Sequence, residues 1–467
     1  MKTIIVILLL GFYGLFLTHK INLVTADLGR HIKNGEFVFQ NVKVLTTNFY
    51  SYTFPDFPVV NHHWLSGVIF YFLWKFSGFA GLQLFFIFIS LVTFLIFFDL
   101  ARRKVGIEKA GLISLMMIPL LGERTEIRPE VFSALFAGLT FWLMSQKISP
   151  KKLLPLLFLI QVFWVNTHVF FFLGPAIIGT FIFNNYKKVI LALSTVIIAS
   201  LINPFGLNGL LYPLGIFNNY AYQLAENQSV TFLDNYGMQN PNLFIFKIIF
   251  AVLVISFIYS IYKRKISLPV LFLAGGFSLM GYLQIRNFAL FGFFALPIIA
   301  INFFALKYEI SNIFITLGIF IVILFFILTG LVQKFPYWHE FGIGLEKNNV
   351  AALEFIGNNN MGKIFNNYDI GGFLIYALYP KNKVFIDNRP AEYPGEFFTK
   401  TYIPMQDDEL IWKEQLNKYK FDSIIFSYND MTPWGQKFMV RRLKDPEWER
   451  RYLDNYVVIF KKRFLPN

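Results

Sequence analysis

The stretch TADLGRHIKNG, residues 25–35, directly follows the first apolar segment and places Asp27, Arg30 and His31 within five residues. A charged side chain beside hydrocarbon is costly unless it has a partner or a function. Asp27 could cap a short helix, with Arg30 or His31 as its i+3 or i+4 partner. It could equally belong to a functional site at a membrane surface, and the surrounding sequence has to distinguish the two.

The composition around this stretch is that of a polytopic membrane protein. Of 467 residues, 56% are hydrophobic and only 15% are charged, against about 25% charged in soluble globular proteins. The net charge of +14 does not indicate nucleic acid, because many Lys and Arg residues form short clusters between apolar runs. Cysteine is absent, which excludes disulfides, thiolate metal sites and a cysteine nucleophile.

Eleven apolar runs predict about eleven membrane-spanning helices. They cover residues 3–19, 80–100, 107–122, 131–146, 153–166, 169–184, 189–203, 243–262, 267–284, 287–305 and 312–332. Several are shorter than the ~20 residues that cross a bilayer upright. The segment HWLSGVIFYFLWKFSG, residues 63–78, is short and contains Lys75, so we predict an interfacial helix there.

The basic clusters predict the orientation in the membrane. If segment 63–78 lies flat and the amino terminus is cytoplasmic, these clusters all face the cytoplasm, as the positive-inside rule expects. They are residues 102–104, 147–152, 187–188, 263–265 and Lys307. A crossing by segment 63–78 would instead translocate every one of them. The sequence therefore predicts an integral protein of the plasma (inner) membrane with a cytoplasmic amino terminus.

The residues before Asp27, Val24-Thr25-Ala26, resemble a signal-peptidase cleavage site. Lys20 and several polar residues separate this site from the apolar run, by more than cleavage usually allows. We therefore expect the first segment to remain in the protein as a membrane helix.

Two domains are predicted from the change in composition near residue 332. Residues 1–332 form a membrane domain with its first outer loop at 20–79, and residues 333–467 form a small extracytoplasmic α/β domain. The predicted elements of the second domain are strands at 383–388, 422–428 and 456–462 and a helix at 408–419.

The segment ERTEIRPE, residues 123–130, is the most highly charged of the predicted outer loops. Its residues could form a solvated turn with internal ion pairs. Alternatively, Glu123 and Glu126, at i and i+3, could hold a divalent cation, Mg²⁺ or Mn²⁺, through oxygen ligands. No other cofactor is predicted.

Further polar residues collect at the same outer face. His168 could be an interfacial hydrogen-bonding residue or a ligand-binding one, and Glu226 lies in the long loop 204–242. Arg286 could snorkel to the membrane surface or hold a phosphate through two parallel hydrogen bonds. His62 and His63 are adjacent, so we expect their side chains to diverge and not to share a metal.

The layout resembles that of the GT-C glycosyltransferases, polytopic enzymes that take sugars from polyprenyl-phosphate carriers. The shared features are a short amino-terminal span, an Asp in a large first outer loop, a flat aromatic helix and many further spans. In that class an acidic residue of the first outer loop is the usual catalytic carboxylate, and Asp27 matches its position. The stretch from DLGRHIKNG onwards and the motifs RPEVFS, INPFG and RNFALF look like those of uncharacterised bacterial membrane proteins related to this class.

Residues 362–390, GKIFNNYDIGGFLIYALYPKNKVFIDNRP, are similar in layout to the start of the soluble domain in oligosaccharyltransferase catalytic subunits. There a Trp-Trp-Asp-Tyr-Gly motif binds the hydroxyl residue of the acceptor peptide. Asp369 would align with its Asp and Gly371 with its Gly, while Asn367 and Tyr368 replace the two tryptophans. Glu123 or Glu126, and Glu226, roughly match the acidic residues that this class uses in later outer loops.

The resemblance implies a glycosyltransferase that moves a sugar from a polyprenyl-phosphate donor to an extracytoplasmic acceptor, which is a glycan, a lipid or a protein. Asp27 is then the general base, and Arg286 or His31 contacts the phosphate. Residues expected to bind substrate are Arg30, His31, His168, Glu226, Arg286 and Asp369, and a metal would bind Glu123 and Glu126. Two alternatives stay open: a transporter or flippase of a lipid-linked or anionic substrate, and a non-catalytic membrane scaffold.

Overall fold

A computed structural model describes residues 2–215, 225–305, 312–334 and 340–463. The chain up to residue 334 consists mainly of α-helices, most of which follow the apolar runs of the sequence, while those at 28–41, 206–215 and 230–235 lie in the predicted outer loops. They are α1 Lys2–Leu17, α2 Leu28–Asn41, α3 Trp64–Leu121, α4 Glu130–Met144, α5 Pro150–Thr167, α6 Leu173–Thr180, α7 Tyr186–Ser200, α8 Gly206–Gly215, α9 Val230–Asn235, α10 Pro241–Tyr262, α11 Leu268–Leu283, α12 Phe288–Asn302, α13 Asn312–Leu328 and α14 Leu331–Lys334. Short 3-10 turns at Val169–Phe172, Ala225–Asn227 and Ile285–Asn287 connect some of them.

The protein is an integral membrane protein by the length and composition of these helices. In the described part of the chain, three helices are long and apolar enough to cross a bilayer: Trp64–Leu121, Pro241–Tyr262 and Ile285–Asn302. Shorter apolar helices accompany them, including Lys2–Leu17 and Glu130–Met144. Helices of 15 residues rise only about 22 Å, less than the ~30 Å of bilayer hydrocarbon. The count of eleven crossings therefore stays a prediction.

Two glycines break the long helix α3. Gly78 has φ +63° and ψ −168°, and Gly106 has φ +85° and ψ 168°, backbone conformations that only glycine adopts without strain. The first break lies at the end of the segment predicted to lie flat, and the second lies just after the basic cluster 102–104. α3 is thus three consecutive helical segments, and the interfacial position of the first stays a prediction.

The carboxy-terminal part of the chain, predicted to be a separate domain and here called the carboxy-terminal domain, contains a small sheet with helices around it. Its elements are α15 Lys347–Asn358, β1 Ile364–Asn366, α16 Gly371–Leu378, α17 Gly395–Phe397, α18 Ile403–Asp407, α19 Glu409–Tyr419, β2 Ser423–Ser427, α20 Pro433–Lys444, β3 Trp448–Leu453 and β4 Val457–Lys462. The sheet order is β1-β2-β4-β3, with β1 and β2 parallel and the other pairs antiparallel. The predicted strands at 422–428 and 456–462 and the helix at 408–419 are confirmed as β2, β4 and α19.

The strand predicted at 383–388 is wrong. Its backbone instead pairs with the first outer loop, since Val384 donates to Tyr50 O at 3.0 Å and accepts from Tyr52 N at 3.1 Å. Side chains take further groups: Asn366 Oδ1 accepts from Phe385 N at 3.0 Å. These side-chain contacts replace the strand ladder that the apolar pattern suggested, and they fasten the loop to the domain.

A second junction joins the segment that follows α1 to the segment that precedes α15. Residues 340–346 run alongside residues 18–21, and Ile21 N donates to Gly344 O at 2.8 Å. Gln83, buried in α3, donates to His19 O at 2.7 Å and accepts from Gly344 N at 2.7 Å. The carboxy-terminal domain is therefore held against α1 and α3 by backbone and side-chain hydrogen bonds together.

Candidate functional site

A cavity of about 340 Å³, here called the central cavity, lies where the first outer loop meets the carboxy-terminal domain. The ends of α5 and α11 and the 3-10 turns that follow them complete its wall. Five of the nine predicted site residues line it: Asp27, Arg30, His168, Glu226 and Arg286. The fold thus brings five predicted site residues, from four separate segments of the chain, to the wall of one cavity.

Asp27 precedes α2 but does not cap it with its side chain, so the capping interpretation is wrong. The carboxylate instead accepts a hydrogen bond from the Asn388 amide, and Arg30 Nη2 lies 3.6 Å from its other oxygen. Burial raises the pKa of Asp27 above its ordinary value, with Arg128 and Arg30 opposing the shift. A partly buried carboxylate of raised pKa beside a cavity is a stronger base than an exposed one.

Asn388 lies in a turn of the carboxy-terminal domain, and contacts of the neighbouring Arg389 side chain hold this turn in place. Arg389 forms a fork with Asp387, at 2.7 Å through Nε and 2.6 Å through Nη2. The same Nη2 donates to Asn48 Oδ1 at 2.8 Å. Neither Asn388 nor Arg389 was predicted as a site residue, since residues 383–388 were expected to form a strand.

Three arginines and three glutamates form one network beside the central cavity. Its members are Arg124, Glu126, Arg128, Glu130, Glu226 and Arg286. Arg124 and Arg128 each bind Glu226 at 3.0 Å, and Arg124 also binds Glu130 at 3.0 Å. Arg286 binds Glu130 and lies 3.7 Å from Glu226. The charges cancel, which reduces the cost of holding six ionised groups away from water.

Glu226 acts in this network as a fixed anion. Although burial opposes it, the surrounding guanidinium groups of Arg128, Arg124 and Arg286 lower the pKa of Glu226 well below its ordinary value. It therefore stays ionised and is a poor proton acceptor at neutral pH. Arg286, predicted either to snorkel or to hold a phosphate, also donates to Asn227 Oδ1 at 3.1 Å, so its guanidinium is held in place from two sides.

Four histidines form a cluster beside the central cavity: His62, His63 and His168 line it, and His31 packs against His63. The ring of His63 lies 3.9 Å from that of His62, 5.3 Å from that of His31 and 5.2 Å from that of His168, between ring centres. The expectation that His62 and His63 diverge is therefore wrong. Burial lowers the pKa of His62 to about 4 and that of His31 well below its ordinary value. His31 is thus neutral at pH 7 in the unliganded protein, and its contact with a phosphate stays a prediction.

Glu123 and Glu126 point to different partners. Glu123 Oε1 accepts from Asn240 Nδ2 at 3.1 Å, while Glu126 pairs with Arg128 at 2.6 Å. Ion pairs within the 123–130 segment, which the sequence offered as one alternative, are present. In the described ranges no group of three or more acidic or histidine side chains is arranged to hold a metal ion. The divalent cation stays a prediction.

Asp369 follows β1 and is not part of the cavity wall. Burial raises its pKa to about 7, and the nearby carboxylates of Asp430 and Asp27 add to the shift. The residues in place of the two tryptophans are buried: Asn367 donates to Asp430 at 2.8 Å, and Tyr368 N donates to the Tyr402 hydroxyl at 2.7 Å. Asn367 through its side chain and Tyr368 through its backbone thus form hydrogen bonds within the domain.

No family model and no curated protein matches the chain. Solved structures do. The archaeal oligosaccharyltransferase AglB from Archaeoglobus fulgidus, in complex with an inhibitory peptide and a dolichol-phosphate, superposes with a TM-score of 0.62 at 11% identity, over 94% of this chain and 72% of that one. ArnT from Cupriavidus metallidurans bound to undecaprenyl phosphate gives 0.52 at 10% identity, over 98% and 97%. Both are GT-C glycosyltransferases. The chain has a GT-C-like membrane fold.

A third solved structure contains a metal. The Archaeoglobus fulgidus oligosaccharyltransferase in complex with Zn and sulfate has a TM-score of 0.55 at 13% identity, over 90% of this chain and 68% of that one. At these identities the likeness establishes the fold, and the chemistry of this GT-C-like protein has to be argued from its own residues.

Behind the central cavity, the GT-C-like fold encloses a smaller and mostly apolar one of about 60 Å³, here called the inner cavity. Side chains of α1, α3 and α12 line it, among them Tyr13, Phe86 and Phe293. Arg128, Phe170 and Arg286 line both cavities. The ion-pair network thus lies at the boundary between a polar space and an apolar one.

Proposed function

We propose that the protein is a glycosyltransferase that moves a sugar from a polyprenyl-phosphate donor to an acceptor hydroxyl in the central cavity. One observation carries the proposal: a carboxylate of raised pKa, Asp27, and the guanidinium groups of Arg128 and Arg286 line the same cavity of a GT-C-like fold. Acid–base and electrostatic catalysis of sugar transfer needs this combination of a base and cations.

In the proposed reaction, the acceptor oxygen forms a bond to the anomeric carbon while its proton passes to an Asp27 oxygen. The bond between the anomeric carbon and the phosphate oxygen breaks, and the polyprenyl phosphate leaves with the electron pair. Arg286 and Arg128 would stabilise the negative charge that develops on that oxygen. Asn388 and Arg30 would keep the base in position, because both contact the Asp27 carboxylate.

The two cavities suggest how such a donor would lie. Its phosphate would contact Arg128 and Arg286, which line both cavities, and its first isoprene units would enter the apolar inner cavity. The AglB and ArnT structures, with their dolichol-phosphate and undecaprenyl phosphate, support a donor of this class. No step of the proposal passes through the predicted divalent cation, since Glu123 and Glu126 do not converge.

The remaining predicted contacts fit this assignment at a coarser level. His168 and Arg30 would contact the sugar or the acceptor from the cavity wall, and Asp369 would act on the acceptor from the carboxy-terminal domain.

We place this domain on the outer side of the plasma membrane and the amino terminus in the cytoplasm. The basic clusters between the helices support that orientation.

The direct test uses the purified protein in liposomes with radiolabelled polyprenyl-phosphate sugars. We expect release of the sugar from the lipid, to water or to an added acceptor, and loss of that release in Asp27→Asn. A wild-type protein that turns over no polyprenyl-phosphate sugar would support the scaffold alternative. Movement of the intact lipid-linked sugar between leaflets, without release, would support the flippase.

A further inference from the structure

A further pocket, here called the side groove, adjoins the central cavity, with which it shares lining residues. This side groove, of about 470 Å³, lies between the first outer loop, α8 and the turn Pro390–Glu392 of the carboxy-terminal domain. Its wall combines aromatic side chains, Phe57 and Phe205, with polar ones, Thr46 and Asn208. The inner cavity, by contrast, is lined mainly by apolar side chains of the membrane helices. The side groove and the inner cavity are therefore suited to chemically different ligands.

Glu392 lies where the side groove joins the central cavity, because it lines both. The turn that carries it is held on two sides. Asn48 donates from Nδ2 to Glu392 O at 3.0 Å, and Glu392 N donates to Arg389 O at 3.0 Å. Arg389 is itself fixed by the fork with Asp387. The backbone of Glu392 is thus fixed by the fold before any ligand arrives.

The carboxylate of Glu392 has an unused hydrogen-bonding atom. The residue is only 7% exposed, and within the described ranges its Oε2 has no hydrogen-bond partner. Arg389 Nη1 lies 3.9 Å from Oε2, which compensates charge but is too far for a hydrogen bond. Buried polar atoms in native proteins are nearly always hydrogen-bonded, so an unpaired one at a cavity junction indicates a place for a ligand donor.

We propose that Glu392 binds a hydroxyl group of the acceptor, and that the acceptor is a neutral, polyhydroxylated molecule entering through the side groove. That the bound molecule is the acceptor rests on the proposed function, whereas the binding of a hydroxyl group by Glu392 does not. A neutral donor fits better than an ammonium group, because Arg389 and Arg30 already place positive charge near the carboxylate. Aromatic and polar side chains on one wall suit a sugar ring, which has an apolar face and polar edges.

The electrostatics of Glu392 agree with this assignment. Burial raises its pKa to about 7, with Arg389 opposing the shift and Asp387 adding to it. A donor hydroxyl stabilises the ionised carboxylate, so ligand binding should be tighter above pH 7 than below it. The pH profile therefore gives a readout that a purely structural role of Glu392 would not change.

The test uses the full-length protein in lipid nanodiscs and a panel of neutral methyl glycosides as probes for the hydroxyl-bearing ligand. Wild type, Glu392→Gln and Glu396→Gln are compared. Glu396 is a matched control, since it lies four residues away and its side chain is 78% exposed. We expect glycoside affinity to fall about tenfold in Glu392→Gln and to stay unchanged in Glu396→Gln, because one charged hydrogen-bond acceptor is lost. Affinity of wild type should rise between pH 6 and pH 8, and that of Glu392→Gln should not.

Each other outcome overturns the assignment. A wild type that binds none of the glycosides, or a Glu392→Gln variant that binds them as well as wild type does, excludes a hydroxyl site at this residue. Equal loss of glycoside and of polyprenyl phosphate binding in Glu392→Gln would make Glu392 a structural residue, and Glu392→Asp, which keeps the carboxylate, should then not rescue either. Glu392-dependent glycoside binding without any sugar release from the donor lipid would refute the proposed transferase instead.

Discussion

Asn388, in the carboxy-terminal domain, donates a hydrogen bond to Asp27, beside the first membrane helix, across 361 positions of sequence. The carboxylate that we propose as the base is therefore positioned by a side chain from the other domain. Each of the two side chains depends on the other for this hydrogen bond. The central cavity is a property of the assembled chain, and it is not present in either domain alone.

Asp27→Asn separates the proposed role of Asp27 in catalysis from its contribution to stability. The asparagine oxygen can still accept from Asn388, so we expect the free energy of unfolding to change by no more than about 1 kcal/mol. It cannot accept a proton, and loss of a general base typically costs about 10²–10⁴-fold in rate. Sugar transfer and thermal stability would be measured on the same preparation. An Asp27→Asn protein that transfers sugar at the wild-type rate would remove Asp27 from the mechanism.

Asn388→Ala is the companion variant. It keeps the base and removes one of its two contacts, so we expect a smaller fall in the transfer rate than in Asp27→Asn. The pKa of Asp27 should rise further, because a hydrogen bond to the ionised form is lost. The acidic limb of the pH–rate profile should accordingly move to higher pH. A profile identical to that of the wild type would show that Asn388 does not position the base.

Arg286 and Glu130 allow binding and stability to be separated. Arg286→Gln leaves Glu130 with Arg124 as its remaining ion-pair partner, and we expect a loss of about 1–3 kcal/mol in the free energy of unfolding. The double variant with Glu130→Gln should recover much of that stability, since no carboxylate is left under-compensated. It should not recover affinity for the donor lipid, because the cation is still missing. Thermal unfolding and lipid binding would be compared across the four proteins, and a double variant with normal lipid affinity would contradict the proposed phosphate contact.

Glu123 should make the protein less stable as pH rises. Burial raises its pKa to about 7 from the ordinary 4.5 of glutamic acid, so its folded environment favours the protonated form. The stabilisation is complete below about pH 4.5 and is lost as pH rises through about 7. Glu123→Gln can still accept from Asn240 and carries no charge, so its melting temperature should exceed that of wild type at pH 8 by more than at pH 5. The exposed Glu396→Gln serves as control, and a difference that does not grow with pH would contradict the burial argument.

Cysteine labelling tests the orientation. The chain contains no native cysteine, so single cysteines at two exposed positions, Lys265 and Lys400, report without background. A membrane-impermeant thiol reagent added to intact cells should label Lys400→Cys, and Lys265→Cys should be labelled only after the membrane is opened. Labelling of both from one side would refute the predicted topology.

The sequence predicted the parts of this protein that depend on local pattern. Long apolar runs gave the helices, and Gly78, next to Ser77, marked a real break in α3. The predicted strand at 383–388 failed because its backbone groups bond the distant residues Tyr50, Tyr52 and Asn366, which no local pattern reveals.

The site was predictable as a set of residues but not as a geometry. Asp27 and Arg286 could be named because each is a charged residue beside an apolar run, and Glu226 because it is an acidic residue of the long outer loop. Their pairing could not be named, since an arginine of one loop can pair with carboxylates of several others. Glu392 escaped notice for a different reason: within the printed sequence it is an ordinary glutamate between an alanine and a tyrosine, and only burial distinguishes it.

Gln83 has a consequence for how the protein is made. The Gln83 amide donates to His19 O, 64 positions earlier in the chain, and accepts from Gly344 N, 261 positions later. A nascent chain that has released Gln83 into the membrane must wait for about 260 further residues before this amide finds its second partner. Residues made long after Gln83 thus complete its hydrogen bonding, and we expect chains truncated before residue 340 to leave the buried Gln83 carbonyl oxygen without its partner.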